Sequence, residues 1–255
     1  MLPLVLIPGI QGRWEYNRGT VDALSAYFQV LTFSLSGRTM EDYAGQVSRA
    51  LDEHQIERAV ICGVSFGGLV ALRFAAASPE RTSALVMVST PAPGWHLRPR
   101  HQLYARLPWI FGPLFLAETP WRLRAEMAAA LPDPRARWAF RRAALRTFIS
   151  APVPLSAMAA RARLIEGLDM RADCARVSAP TLVVTGEVHL DHVVPVGGSS
   201  EYVQLIRGAR GAILERTGHT GTMTRPDAFA TLVRDFVSSQ VGRTRGSAPT
   251  HDQVA

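Results

Sequence analysis

Lysine is absent: all 28 basic residues of this 255-residue chain are arginines. A formal net charge of +7 built from one residue type reads as a compositional bias. It is no argument for nucleic acid, because a binding face needs clustered placement as well as a count. Cysteine is nearly absent. Cys62 and Cys174 stand far apart with no CxxC or Cys/His spacing, which excludes a disulfide framework and a zinc site and leaves two buried thiols. Charged residues are scarce at 19%, below the ~25% of ordinary globular chains. Hydrophobic residues reach 47%, which excludes disorder for the bulk of the chain. No apolar run attains the ~18 residues of a membrane span, and the run from Leu2 stops at Pro8-Gly9, short of a signal-peptide core. The expectation is a cytoplasmic protein with one large core, no nucleic-acid partner and no stable membrane insertion.

What is present alternates. Short apolar runs at Pro3 to Ile7, Gln29 to Phe33, Ala59 to Cys62, Ala84 to Val88, Thr181 to Thr185 and Gly211 to Leu214 read as strands. Their near-continuous apolarity suits parallel strands covered on both faces. Between them, Thr39-Met40-Glu41-Asp42 has the form of a capping box opening a helix to about His54, and Phe66 to Ala77 reads as a helix stopped by Ser78-Pro79. A last helix from Arg225 gathers Phe229, Leu232, Val233, Phe236 and Val237 on one face. The expected fold is an α/β sheet of about six mostly parallel strands with right-handed crossovers.

Residues 91–170 break the pattern. They hold arginine-rich helical stretches interrupted by Pro108, Pro113, Pro120, Pro132, Pro134, Pro152 and Pro154, with no strand signal. Thirteen of the arginines lie between Pro91 and Arg171 against five acidic residues, so this segment accounts for the whole net charge. Such a long connection is expected to be a helical cap over the C-terminal ends of the strands, on a core made of 1–90 and 171–241. Within it, Trp109, Ile110, Phe111, Leu114, Phe115 and Leu116 are expected to pack the cap down. Arg135, Arg142 and Arg146 should form a solvated face opposite Trp138, Leu145 and Ile149. Residues 242–255 have almost nothing to bury and read as a disordered tail.

The chemistry centres on Gly63-Val64-Ser65-Phe66-Gly67, set between a strand and an apolar helix. A tight turn there exposes the serine hydroxyl at the sheet edge. A hydroxyl is a poor nucleophile without a base and an orienting acid. Both follow: Asp191 lies after the strand at 181–185, and His219 follows Gly218 after the last strand. The order Ser, Asp, His is that of the α/β-hydrolases.

Pro-Thr-Leu-Val-Val-Thr-Gly-Glu at 180–187, Asp-His-Val-Val-Pro at 191–195 and Thr-Gly-His at 217–219 complete a resemblance to the α/β-hydrolase superfamily over roughly Pro3 to Gln240. Specifically, the chain resembles its small serine hydrolases and esterases with a helical cap. The resemblance implies Ser65 as nucleophile, His219 as base and Asp191 as acid. The family usually has Gly-Glu-x-Asp, and two extra residues intervene here; Glu187 is the other candidate, but that position usually packs structurally. It also implies an oxyanion hole from the backbone N–H groups of Ile10 and Phe66, in a loop where Pro8 stands in place of a common histidine that braces it. Gln11 and Trp14, just downstream, are candidate pocket walls.

The family's first two antiparallel strands are expected to be missing, which leaves Gln29 to Phe33 as an uncovered edge that invites a homodimer. His189 and His192 flank Asp191 without a third ligand, so no metal and no cofactor are expected. The implied activity is hydrolysis of a small or medium carboxylic ester, thioester or lactone through an acyl-enzyme, on an acyl substrate for which the basic cap suggests an anion. Carbon–carbon bond hydrolysis or lyase chemistry with the same triad, and a catalytically silent ligand-binding protein, are the alternatives.

Overall fold

The alternation of apolar runs and amphipathic stretches folds into a single six-stranded sheet in which every pairing is parallel. The computed structural model describes residues 1–246. In chain order, β1 (Leu2–Ile7) leads through a 3-10 turn and α1 (Arg18–Ser25) to β2 (Phe28–Thr32), then α2 (Met40–Glu53), β3 (Ala59–Val64), α3 (Phe66–Ala77) and β4 (Thr82–Val88). Six helices follow: α4 (Pro99–Arg106), α5 (Pro108–Arg122), α6 (Arg124–Ala130), α7 (Pro134–Ser150), α8 (Leu155–Glu166) and α9 (Arg171–Arg176). The sheet resumes with β5 (Thr181–Thr185), α10 (Val196–Leu205) and β6 (Arg210–Ile213), and the description ends with α11 (Gly221–Thr224) and α12 (Pro226–Gly246).

The strand order β2-β1-β3-β4-β5-β6 places β2 at one edge and β6 at the other. Every residue of β3 and β5 is buried, as strands covered on both faces require. Period-two alternation sorts their side chains between two cores. Val5, Ile7, Ile61, Leu85 and Met87 meet Tyr43, Leu51, Phe74 and Tyr202 on one side. Leu4, Leu6, Val60, Val86 and Val184 meet Leu24, Phe229 and Val233 on the other. At the start of α2, Thr39 Oγ1 accepts from the Asp42 N–H at 3.1 Å and Asp42 Oδ2 from the Thr39 N–H at 3.0 Å, the reciprocal capping box of the sequence. Both thiols are free and buried. Burial raises both thiol pKa values, Cys174 to about 12.

Prolines act differently from expectation between β4 and β5. Pro99, Pro108 and Pro134 open α4, α5 and α7 in the first turn, where no N–H is needed. Pro113 and Pro120 lie inside α5, which continues through both. The packing of the apolar residues also differs. Trp109 and Ile110 are exposed, as are Trp138, Leu145 and Ile149, and α7 buries none of its residues. Trp138 precedes Arg142 by one turn, so the two share a face, and the guanidinium lies 4.9 Å over the indole. At the C-terminus α12 runs to Gly246, five residues into the segment expected as tail. The remainder of that tail, 247–255, lies outside the described residues. Among the described residues no single helix is long and apolar enough to cross a membrane.

Candidate active site

β3 ends at Val64 and α3 begins at Phe66, which leaves one residue to turn the chain. That residue, Ser65, has φ 54° and ψ −117°, a strained conformation for a side chain with a Cβ. Its N–H is held by the Val88 carbonyl at 2.7 Å. Glycine is required on both sides: a Cβ on Gly63 would lie 2.1 Å from the Gly67 carbonyl oxygen, and one on Gly67 2.3 Å from that of Ile7. The strand-to-helix turn closes tightly, with Ser65 in the pocket wall.

His219 Nε2 lies 3.1 Å from Ser65 Oγ, and its Nδ1 3.4 Å from Asp191 Oδ2. The second distance is long for such a bond, as is common before substrate tightens a site. Asp191 Oδ1 accepts the N–H groups of Val193 and Val194, both at 2.9 Å. Burial by itself would raise the Asp191 carboxyl. The hydrogen bond and charge of His219 and the two N–H groups outweigh it and hold the carboxyl below its usual value. Glu187, the rival acid, instead accepts the Arg216 N–H at 2.6 Å and lies 3.5 Å from His189. It pins the turn at Arg216, whose φ is 58°. The two extra residues are absorbed by a turn in which the Leu190 and Asp191 N–H groups bond the Glu187 carbonyl.

Phe66 is the first residue of α3, so its N–H has no partner within the helix. Ile10 also lines the pocket, and its N–H donates to no group among the described residues. The neighbouring Gly9 abuts Ser65, since a Cβ there would lie 3.5 Å from that of Ser65. A helix from the segment between β4 and β5 reaches this loop. Arg161 of α8 is 2% exposed and donates to the carbonyls of Ile10 and Leu35, each at 2.9 Å.

A second buried charge comes from α6. Glu126 is 0% exposed and its Oε1 accepts both the N–H and the hydroxyl of Thr220, at 2.7 Å each, beside the candidate base. Burial raises its carboxyl above the usual glutamate value, against the lowering effect of the Thr220 hydrogen bonds and the His219 charge. Neither Arg161 nor Glu126 was singled out from the sequence. The available signal is a charge set among alanines and other apolar residues, Glu126 at the head of 126–130 and Arg161, with Arg163, within 157–165.

The pocket opens onto Ser65 and His219 under an apolar roof that includes Trp95, Leu97, Phe115, Leu155 and Met158. Gln11 and Trp14, expected as walls, do not line it. Gly12, at φ 73°, turns the chain away behind the Arg161 guanidinium, and Trp14 packs with Arg18, 5.5 Å from its ring. Among the described residues no three His, Cys, Asp or Glu side chains group as a metal site.

Compared with known proteins, residues 4–232 match the model of the family described as "Alpha/beta hydrolase family". The pimeloyl-[acyl-carrier protein] methyl ester esterase of Vibrio campbellii is 26% identical over 246 residues, covering 92% of this chain and 94% of its own. Among solved structures, the enol-lactonase from Burkholderia xenovorans LB400 superposes with a TM-score of 0.75 at 24% identity, over 93% of this chain and 91% of that one. A bromoperoxidase from Bacillus anthracis reaches 0.77 at 17% identity, over 93% and 92%.

Proposed function

Because the chain belongs to the alpha/beta hydrolase family, we propose that it is a serine hydrolase cleaving a small or medium carboxylic ester, thioester or lactone. The observation that carries the reading is Ser65, strained at φ 54°, with its hydroxyl 3.1 Å from His219 Nε2 at the floor of an apolar pocket. Ser65 Oγ attacks the acyl carbon as its proton passes to His219 Nε2, and Asp191 holds the other ring nitrogen and faces the imidazolium that forms. The Ile10 and Phe66 N–H groups receive the oxyanion. Collapse expels the alcohol or thiol with the proton from His219 and leaves an acyl-Ser65 ester. Water, deprotonated by the same imidazole, then releases the acid and restores the serine. The name of the esterase relative supports ester cleavage as the reaction class, and fold alone leaves the substrate open.

A fluorophosphonate probe should label wild type at Ser65 and leave Ser65→Ala unlabelled. On p-nitrophenyl esters, Ser65→Ala and His219→Ala should each lose at least ~10³-fold in kcat, with the double variant little worse than either, because the residues act as a unit. Unchanged turnover in Ser65→Ala would remove the assignment. No labelling and no turnover in wild type would favour a silent binding protein. Carbon–carbon bond cleavage by the same triad would appear as Ser65-dependent turnover of a diketone-type substrate that exceeds turnover of every ester.

A further inference from the structure

Cleaving an ester does not call for a cation in the acyl pocket, yet this pocket has one. Pro108, Gly112, Phe115 and Arg122 all line it, and their spacing places them on one face of α5. The first three fit the apolar roof. Arg122 does not. Its guanidinium carbon lies 4.7 Å over the Phe115 ring, a contact with the ring face. Among the described residues no carboxylate pairs with it. The acid one turn earlier, Glu118, is taken by Arg100, which also donates to Tyr104 Oη at 2.5 Å.

Beside Arg122 in the wall stands His101, its ring 6.1 Å from that of Phe115. Burial, then the charges of Arg122, Arg98 and Arg100, lower its pKa, so at neutral pH it offers a neutral imidazole as a hydrogen-bond partner. Burial costs the Arg122 guanidinium hydration, and Glu118, whose charge favours it, makes its direct ion pair with Arg100. An anionic group of a bound substrate restores what is missing, while an alkyl chain does not.

We infer that Arg122, with His101 at its side, is a subsite for a carboxylate on the acyl part of the substrate, so that the preferred substrate is a half-ester, thioester or lactone of a dicarboxylic acid. This rests on the hydrolase reading for its reaction, though not for its binding.

Two p-nitrophenyl esters of equal chain length, one a half-ester of a six-carbon dicarboxylic acid and one of hexanoic acid, test it. Wild type should favour the carboxylated ester in kcat/KM by about tenfold or more, the scale of one well-placed charge pair. Arg122→Gln should collapse that ratio toward one, and Arg122→Lys should keep part of it. Equal kcat/KM for the two esters in wild type, or a ratio unaltered by Arg122→Gln in a protein with wild-type Tm, overturns the subsite. Calorimetric binding of the two free acids to Ser65→Ala separates this from failure of the reaction. Tighter, Arg122-dependent binding of the dicarboxylate supports the subsite even if no ester is cleaved, and indifference between the acids overturns it. Inorganic phosphate competing as well as the dicarboxylate would also overturn it, since it would mark a generic anion site.

Discussion

At the scale of the residue, Ser65 holds backbone strain of about 1–3 kcal/mol in exchange for a hydroxyl presented to His219, and the cost is offset by the close packing that Gly63 and Gly67 permit. Asp191 and Glu187 divide two tasks that the sequence left to one motif: the first faces His219, the second secures the Arg216 turn. Asp191→Asn is therefore expected to lower kcat by several orders of magnitude, on the pattern of the ~10⁴-fold loss for a triad aspartate. Glu187→Gln should act mainly on Tm. The opposite ranking of the two variants, read from kcat and thermal melts, would move the acid to Glu187. The three candidate positions that the fold brings together were legible because Ser65 directly follows β3, and Asp191 and His219 lie in the loops after β5 and β6, strands that apolarity marks plainly. Gln11 and Trp14 were misread because nearness in sequence to the Ile10 loop is not nearness to the pocket once Gly12 turns the chain.

At the scale of the element, α6 and α8 each bring a buried charged side chain to a loop of the sheet. The Glu126 carboxyl is raised by burial, so the fold prefers it protonated relative to the unfolded chain. Stability from this group is fully present below the ordinary glutamate pKa and lost as pH rises through the higher folded value. Glu126→Gln keeps an acceptor for Thr220 and has no charge to bury. The Tm of the variant relative to wild type should rise from pH 4 to pH 8, and melts across that range that stay parallel would show that the charge is not penalised. The strands and α2, α3 and α12 were readable from local signals: apolar runs, a capping box, a one-sided helix. The cap was harder, because its helices are placed by contacts across long sequence separations, such as Arg161 with Ile10 and Glu126 with Thr220. α7 buries none of its residues, so its apolar side chains did not reveal its place in the fold.

At the scale of the molecule, the net positive charge belongs to the segment between β4 and β5, where Arg135, Arg142 and Arg146 are exposed and outside the pocket wall. They can act on a substrate only through the long-range field, which salt screens within ~10 Å at 0.1 M. The kcat/KM for a carboxylated ester should fall as salt rises while a neutral ester stays level, and Arg135→Gln/Arg142→Gln/Arg146→Gln should flatten the first slope. Equal slopes for both esters would make the basic surface a matter of composition alone. The two buried charges that cross from cap to core also bear on how such a chain can change over generations. A chimera that joins this core to a cap from elsewhere in the family would strip the Ile10 and Leu35 carbonyls and the Thr220 N–H of their partners at one stroke, at about 1–3 kcal/mol for each buried orphan. Roof and floor are therefore expected to exchange only as a pair, whereas single substitutions along the Arg122 face of α5 leave both buried contacts in place.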